Sequence, residues 1–137
     1  MLTALGLARV AARAADDKKA SDIRIMDMRD VLGITDYFVL VSGRNERQVR
    51  RIQEAVEEKL SASGVKPARR EGQRFGRWIL LDYIDFVVHV FLDAERSFYD
   101  LERLWKDVPV LEWGEDDAGK GDDVSVPGDA AGEPPAD

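Results

Sequence analysis

The chain has 137 residues and no cysteine, enough for one domain with a real hydrophobic core. Disulfide scaffolds, thiol nucleophiles and cysteine-ligated metals are excluded. The net charge of −7 is unevenly placed: residues 114–137 hold eight acids against Lys120 alone, whereas residues 1–113 hold 19 acids and 19 bases. A neutral domain with an acidic extension is a poor general binder of nucleic acid, because phosphate neutralisation supplies most non-specific affinity.

Residues 2–19 read as a helix, with Leu2, Leu5 and Ala12 at helical spacing and alanines that favour the state. Arg9 and Arg13 interrupt the apolar stretch and no basic segment precedes it, which argues against a signal peptide. No run approaches the length of a membrane span. The expected compartment is the cytoplasm, with no membrane partner. Residues 23–28 alternate as a first strand, and Tyr37 to Val41 form a second, more apolar and so more central strand.

Ser42, Gly43, Arg44 and Asn45 lead into a helix over 45–63. Asn45 is placed as the N-cap and Gln48 as its partner in a capping box. Val49, Ile52, Val56 and Leu60 form the buried stripe, and Gly64 the stop. Residues 66–70, with Pro67 and basic neighbours, suit an edge strand. If strands 37–41 and 66–70 are parallel, the helix between them makes a right-handed crossover.

Residues 77–91 carry two apolar runs, Trp78 to Leu81 and Phe86 to Val90, split by Asp82, Tyr83, Ile84 and Asp85. They predict an antiparallel hairpin with both faces covered. Asp93 is the expected cap of a helical segment in which Phe98, Leu101, Leu104 and Trp105 make an apolar stripe, broken near Asp100 and stopped by Pro109. Residues 110–113 read as a short extended end. From Gly114 to Asp137, five glycines, three prolines and no aromatic residue predict a disordered acidic tail. The expected fold is mixed α/β, a five-stranded mixed sheet with packed helices, in a domain spanning residues 1–113.

Tests for chemical sites return little. Ser42 and Gly43, after a strand and before a helix, stand where phosphate can bind, yet no complete phosphate-loop motif occurs. Arg44, Arg47, Arg50 and Arg51 could meet phosphates, but they alternate with Glu46, Glu54, Glu57 and Glu58, as on a solvated face. His89 is the only histidine and reads first as a packed core group, second as part of an interface. Asp82 and Asp85 are accounted for by turn chemistry. A two-metal transferase site would need two acids one residue apart on a strand, and none lies in the sheet. No catalytic residue, metal or cofactor is expected. Trp78, preceded by Arg74 and Arg77, has the composition of an interface hot spot. Tyr83 stands at the opposite end of the hairpin from Trp78.

The segments DDKKASDI (16–23), ITDYFVLVSG (34–43), RQVRRIQEAVEEKL (47–60), EGQRFGRWILLDYIDFVVHVF (71–91) and ERSFYDLERLW (95–105) together resemble the ribosomal silencing factor RsfS family, also called the Iojap or YbeB-like family. The resemblance covers nearly all of residues 1–108. It implies a nucleotidyltransferase-like topology without the catalytic site, a non-enzymatic role and a homodimer. It also implies binding to the large ribosomal subunit through ribosomal protein uL14, with rRNA nearby, so that the small subunit cannot join when nutrients are short.

Carried over by motif, Trp78 matches the family tryptophan at the uL14 surface, with Tyr83 next and Arg77 and Asp82 beside them. His89, Tyr99, Leu101, Leu104 and Trp105 match positions of packing or interface. Two other readings stand beside this one: a nucleotide-processing enzyme using Ser42, Gly43 and Asp82 or Asp85, and a dimerisation module with no ribosomal partner.

Overall fold

A computed structural model describes residues 2–31 and 33–114. The predicted acidic tail, apart from Gly114, lies outside the described residues. The first helix, α1 (Ala4–Asp17), begins at Thr3, whose hydroxyl accepts from the Gly6 N–H at 3.0 Å. Its alanines 8, 11, 12, 14 and 15 are buried, and such small side chains let it lie close against its neighbours. Strands β1 (Ser21–Asp27) and β2 (Tyr37–Gly43) follow. Every residue of β2 is buried, in keeping with its density of branched and aromatic side chains.

Helix α2 (Glu46–Ala62) starts as expected at Asn45, which accepts from the Gln48 N–H at 2.8 Å. The return bond of the capping box differs. Gln48 Oε1 accepts from Arg44 N rather than Asn45 N, while its amide nitrogen reaches the carbonyls of Lys18 and Lys19, tying α2 to the end of α1. Val49, Ile52, Val56 and Leu60 are all fully buried. Truncating one of them, Ile52→Ala for example, would cost about 2–5 kcal/mol.

The rest of the sheet is β3 (Arg69–Glu71), β4 (Trp78–Asp82), β5 (Phe86–Leu92) and β6 (Val110–Leu111). Among the described residues it has six strands, in the order β3-β4-β5-β2-β1-β6, one more than the five expected. The addition is β6, which pairs antiparallel with β1; two residues are too few to show an alternating pattern. The predicted edge strand is an edge, displaced towards residue 71. β2 and β5 are paired in parallel and all other neighbours are antiparallel. β2 and β3 therefore run parallel, as the crossover required, but with β5 and β4 between them.

The hairpin β4–β5 turns tightly: Asp85 N donates to Tyr83 O at 2.9 Å across Ile84, whose φ is 75°. A branched residue with positive φ is strained, and Asp82 Oδ1, accepting from Ile84 N at 2.8 Å, helps hold it there. After β5 come α3 (Asp93–Tyr99) and the single turn α4 (Leu101–Leu104), separated at Asp100, whose φ is 51°. Asp93 is the first helical residue rather than the cap; Leu92 takes the cap position and offers no side-chain bond.

Alternation assigns the two sheet faces. Ile25, Val39, Val41, Ile79, Leu81, Val88 and Val90 pack under α1 and α2 in the main core. Met26, Met28, Phe38, Leu40 and Phe91 form a smaller core on the opposite face, with Trp78, Val87, Leu101, Trp105 and Val108 partly covering it. Helices cover the first face completely and the second incompletely. Among the described residues, no helix is long and apolar enough to cross a membrane.

Candidate interaction surface

Trp78 opens β4 on the thinly covered face and is half-buried. Its indole stacks on Phe91 (ring centroids 4.9 Å apart) and leans on Tyr99 (4.7 Å). Its N–H donates to Nδ1 of His89 at 3.1 Å. That bond requires Nδ1 to be unprotonated. Burial, assisted by the charge of Arg96, keeps the imidazole neutral by pushing its pKa down to about 3. With its polar handle engaged internally, Trp78 can offer a partner only ring face and edge.

The rings continue in both directions. Phe98 meets Tyr99 edge-on at 5.1 Å, while Phe38 touches His89 at 4.6 Å and Trp105 at 5.4 Å. The result is a row from Phe98 through Tyr99, Trp78, His89 and Phe38 to Trp105. Its ends are open: Phe98 is 78% exposed, Tyr99 50% and Leu104, beside Trp105, 68%. The predicted apolar stripe of Phe98, Leu101, Leu104 and Trp105 is therefore not one buried stripe. The positive φ at Asp100 rotates α4 out of phase with α3, leaving Phe98 and Leu104 outside while Leu101 and Trp105 pack inwards.

Arg96 holds this helical pair in place. It is 7% exposed; one terminal nitrogen donates to Asp22 O and to Ser42 Oγ (2.8 Å), and the other arm forks onto Glu102 at 3.1 and 2.7 Å. Glu102 also meets Arg24 at 3.0 Å. Burial alone would raise the Glu102 carboxyl, but the Arg96 hydrogen bond and the two guanidinium charges hold it below its usual range. Neither Arg96 nor Glu102 stands out in the sequence, since a buried guanidinium carries no periodic signature.

Ser42 is thus a structural acceptor. Gly43 is the tight turn itself: a Cβ there would lie 3.1 Å from Val49 Cγ2. The pair lacks the open backbone of a phosphate loop. Asp82 shares the face of Trp78, but its carboxylate is committed to Ile84 N and, at 3.4 Å, to Arg69. Among the described residues no group of three acids or histidines could hold a metal ion.

Tyr83 falls on the other side of the sheet. It is 8% exposed, stacks on Phe86 at 4.9 Å and belongs to the core under α1 and α2. Its hydroxyl is buried with no hydrogen-bond partner among the described residues, and burial pushes its pKa well above the usual tyrosine value. The expectation that it shares a surface with Trp78 is corrected by parity along β4: odd positions face the helices. Arg77 does lie beside Trp78, exposed and 3.6 Å from Glu46.

A model of the family described as "Ribosomal silencing factor during starvation" matches residues 2–132. This chain belongs to the RsfS family. The RsfS protein of Bacillus subtilis is 39% identical over 104 residues, spanning 76% of this chain and 88% of that protein. RsfS of Halalkalibacterium halodurans is 39% identical over 106 residues, 77% of this chain and 91% of its own. A crystal structure from Chromobacterium violaceum aligns with a TM-score of 0.74 at 33% identity, covering 77% of this chain and 88% of that one. The RsfS family consists of silencing regulators rather than enzymes, and its solved neighbours share the mixed α/β architecture.

Proposed function

We propose that the chain represses translation by binding the large ribosomal subunit through ribosomal protein uL14, where it excludes the small subunit, above all when nutrients are short. The observation that carries this reading is the row of rings on the thinly covered sheet face, centred on half-buried Trp78 and exposed at Phe98 and Tyr99. Contiguous exposed apolar area of this kind marks a protein interface, and aromatic anchors beside arginine carry most of the affinity in such contacts. Steric exclusion needs no bond-making, in keeping with a family of silencing factors. In the free, cytoplasmic protein the same face serves a homodimer, so that the second copy and uL14 compete for it. The working unit is residues 1–113; deleting residues 114–137 leaves capture and thermal midpoint unchanged.

The test is sedimentation of a tagged chain through a sucrose gradient. Co-migration with large subunits, and absence from translating ribosomes, is the expected result. Trp78→Ala should move the chain to the top of the gradient with its circular dichroism unchanged. Retention on large subunits by that variant would overturn the assignment of this face.

A further inference from the structure

The fold gathers six arginines that are distant in sequence. Arg44 precedes the cap of α2, Arg47, Arg50 and Arg51 lie in its first two turns, and Arg74 and Arg77 belong to the loop between β3 and β4. Arg50 joins the two groups: its guanidinium donates to Arg74 O at 2.7 Å and packs over Gly76, where a Cβ would come within 3.1 Å of it. Phe75, between these arginines, is 65% exposed, and the Arg74 guanidinium lies over its ring at 5.7 Å. Glu46 brings opposing charge to this surface, 3.6 Å from Arg77.

Stability accounts for Arg50 and Arg77, through Arg74 O and Glu46, but not for Arg44, Arg47 and Arg51. Cations at a helix start oppose the macrodipole, and Arg47 and Arg51, four residues apart, repel each other. The glutamates of α2 lie mostly in its second half, again against the dipole. Among the described residues Arg44, Arg47 and Arg51 make no side-chain hydrogen bond or ion pair. At the helix start Asn45 accepts from Gln48 N and Gln48 accepts from Arg44 N; the surface itself is made of side chains.

We propose that this arginine surface, with Phe75 as a stacking platform, binds the phosphate backbone of RNA. Guanidinium groups fork onto phosphate oxygens, and an exposed ring among them is the arrangement that takes an unpaired base. The choice of RNA over another polyanion rests on the ribosomal reading above, because Arg77 joins this surface directly to Trp78. The chain's overall charge of −7 makes the contact short-ranged. At physiological salt, charges beyond about 8 Å are screened, so local arginines outweigh distant acids.

The test is fluorescence anisotropy of the full chain with a labelled single-stranded RNA of about 12 nucleotides, read from about 50 to 200 mM salt. Binding should weaken steeply with salt. In the triple variant Arg47→Ala, Arg51→Ala, Arg74→Ala it should weaken at least tenfold at the lowest salt, with a logarithmic salt slope smaller by roughly two. Phe75→Ala should weaken binding at unchanged slope. The corresponding triple lysine variant should restore most of the slope.

No binding by the full chain, or binding that the triple alanine variant leaves intact, overturns the proposal. Binding seen only after the acids of residues 115–137 are changed to Asn and Gln also overturns it, by naming the chain's own acidic segment as the occupant. Capture of purified large subunits, measured in parallel, reads the function proposed above. Either measurement can fail without the other.

Discussion

The indole N–H of Trp78 and Nδ1 of His89 are joined across neighbouring strands at 3.1 Å, on a diagonal of the β4–β5 ladder in which Trp78 faces Phe91 and Leu80 faces His89. The bond ties the ring proposed to meet a partner to the chain's only histidine, and it exists only while that histidine is neutral.

A pH dependence follows from that neutrality. The folded pKa of His89 lies at about 3, below its ordinary 6.5, so the unfolded chain takes up a proton that the native chain refuses. Stability is therefore full above pH 6.5 and falls as the pH drops through the window between 6.5 and 3, at about 1.4 kcal/mol per unit. Glu57, Glu102 and Asp27 have folded pKa values held low by arginine partners, so they add to the loss only below their ordinary carboxylate range. Urea denaturation at pH 7, 6 and 5 should show the slope rising towards one proton between pH 6 and 5, and His89→Phe should abolish it.

Replacing Arg96 with Met should cost about 3 kcal/mol. The change leaves Glu102 half-buried without its fork and Ser42 without its donor, and breaking a buried pair by removing one partner is costly. Glu102→Gln, which keeps a hydrogen-bonding group, should cost less. The midpoint of urea unfolding checks both. Hydrogen exchange should show the Arg96→Met loss concentrated in α3 and α4.

Two glycines with similar backbone angles should behave differently. Gly72 (φ 85°) would place a Cβ 2.0 Å from the carbonyl oxygen of Trp78, whereas Gly64 (φ 90°) has nothing within 4 Å. Gly64→Ala bears only the backbone penalty, about 1 kcal/mol. Gly72→Ala must also displace the start of β4, so it should cost at least about 2 kcal/mol more and weaken large-subunit capture through Trp78. Thermal midpoints of the two variants test the contrast.

Tyr83→Phe should be neutral or stabilising by up to about 1 kcal/mol, since it removes a buried hydroxyl that has no partner among the described residues. It should leave large-subunit capture unchanged. Trp78→Ala, by contrast, should weaken capture by about 2 kcal/mol, roughly 30-fold. A loss of capture in Tyr83→Phe would return Tyr83 to the interface.

Much of this architecture is legible in the residues. The stripe Val49, Ile52, Val56 and Leu60 repeats every three or four positions and packs as written, and the hairpin shows itself through two apolar runs and an aspartate-flanked break. Alternation also separates Trp78 from Tyr83, but it does not say which face the helices take, so Tyr83 reads as a surface residue when it is a core one. β6 is too short to carry a period. The exposure of Phe98 depends on a single positive φ at Asp100, and the arginine surface depends on a contact between residues 24 apart in sequence.

The parallel ladder between β2 and β5, seven residue pairs from Tyr37–Phe86 to Gly43–Leu92, bears on how the molecule assembles. β1–β2 on one side and β3–β4–β5 on the other can each zip locally, but the seam that welds them cannot close until residue 92 has been synthesised. Until then one flank of β2 has no strand to pair with. The amides along this seam should be the last to form during folding and, once formed, the slowest to exchange with solvent.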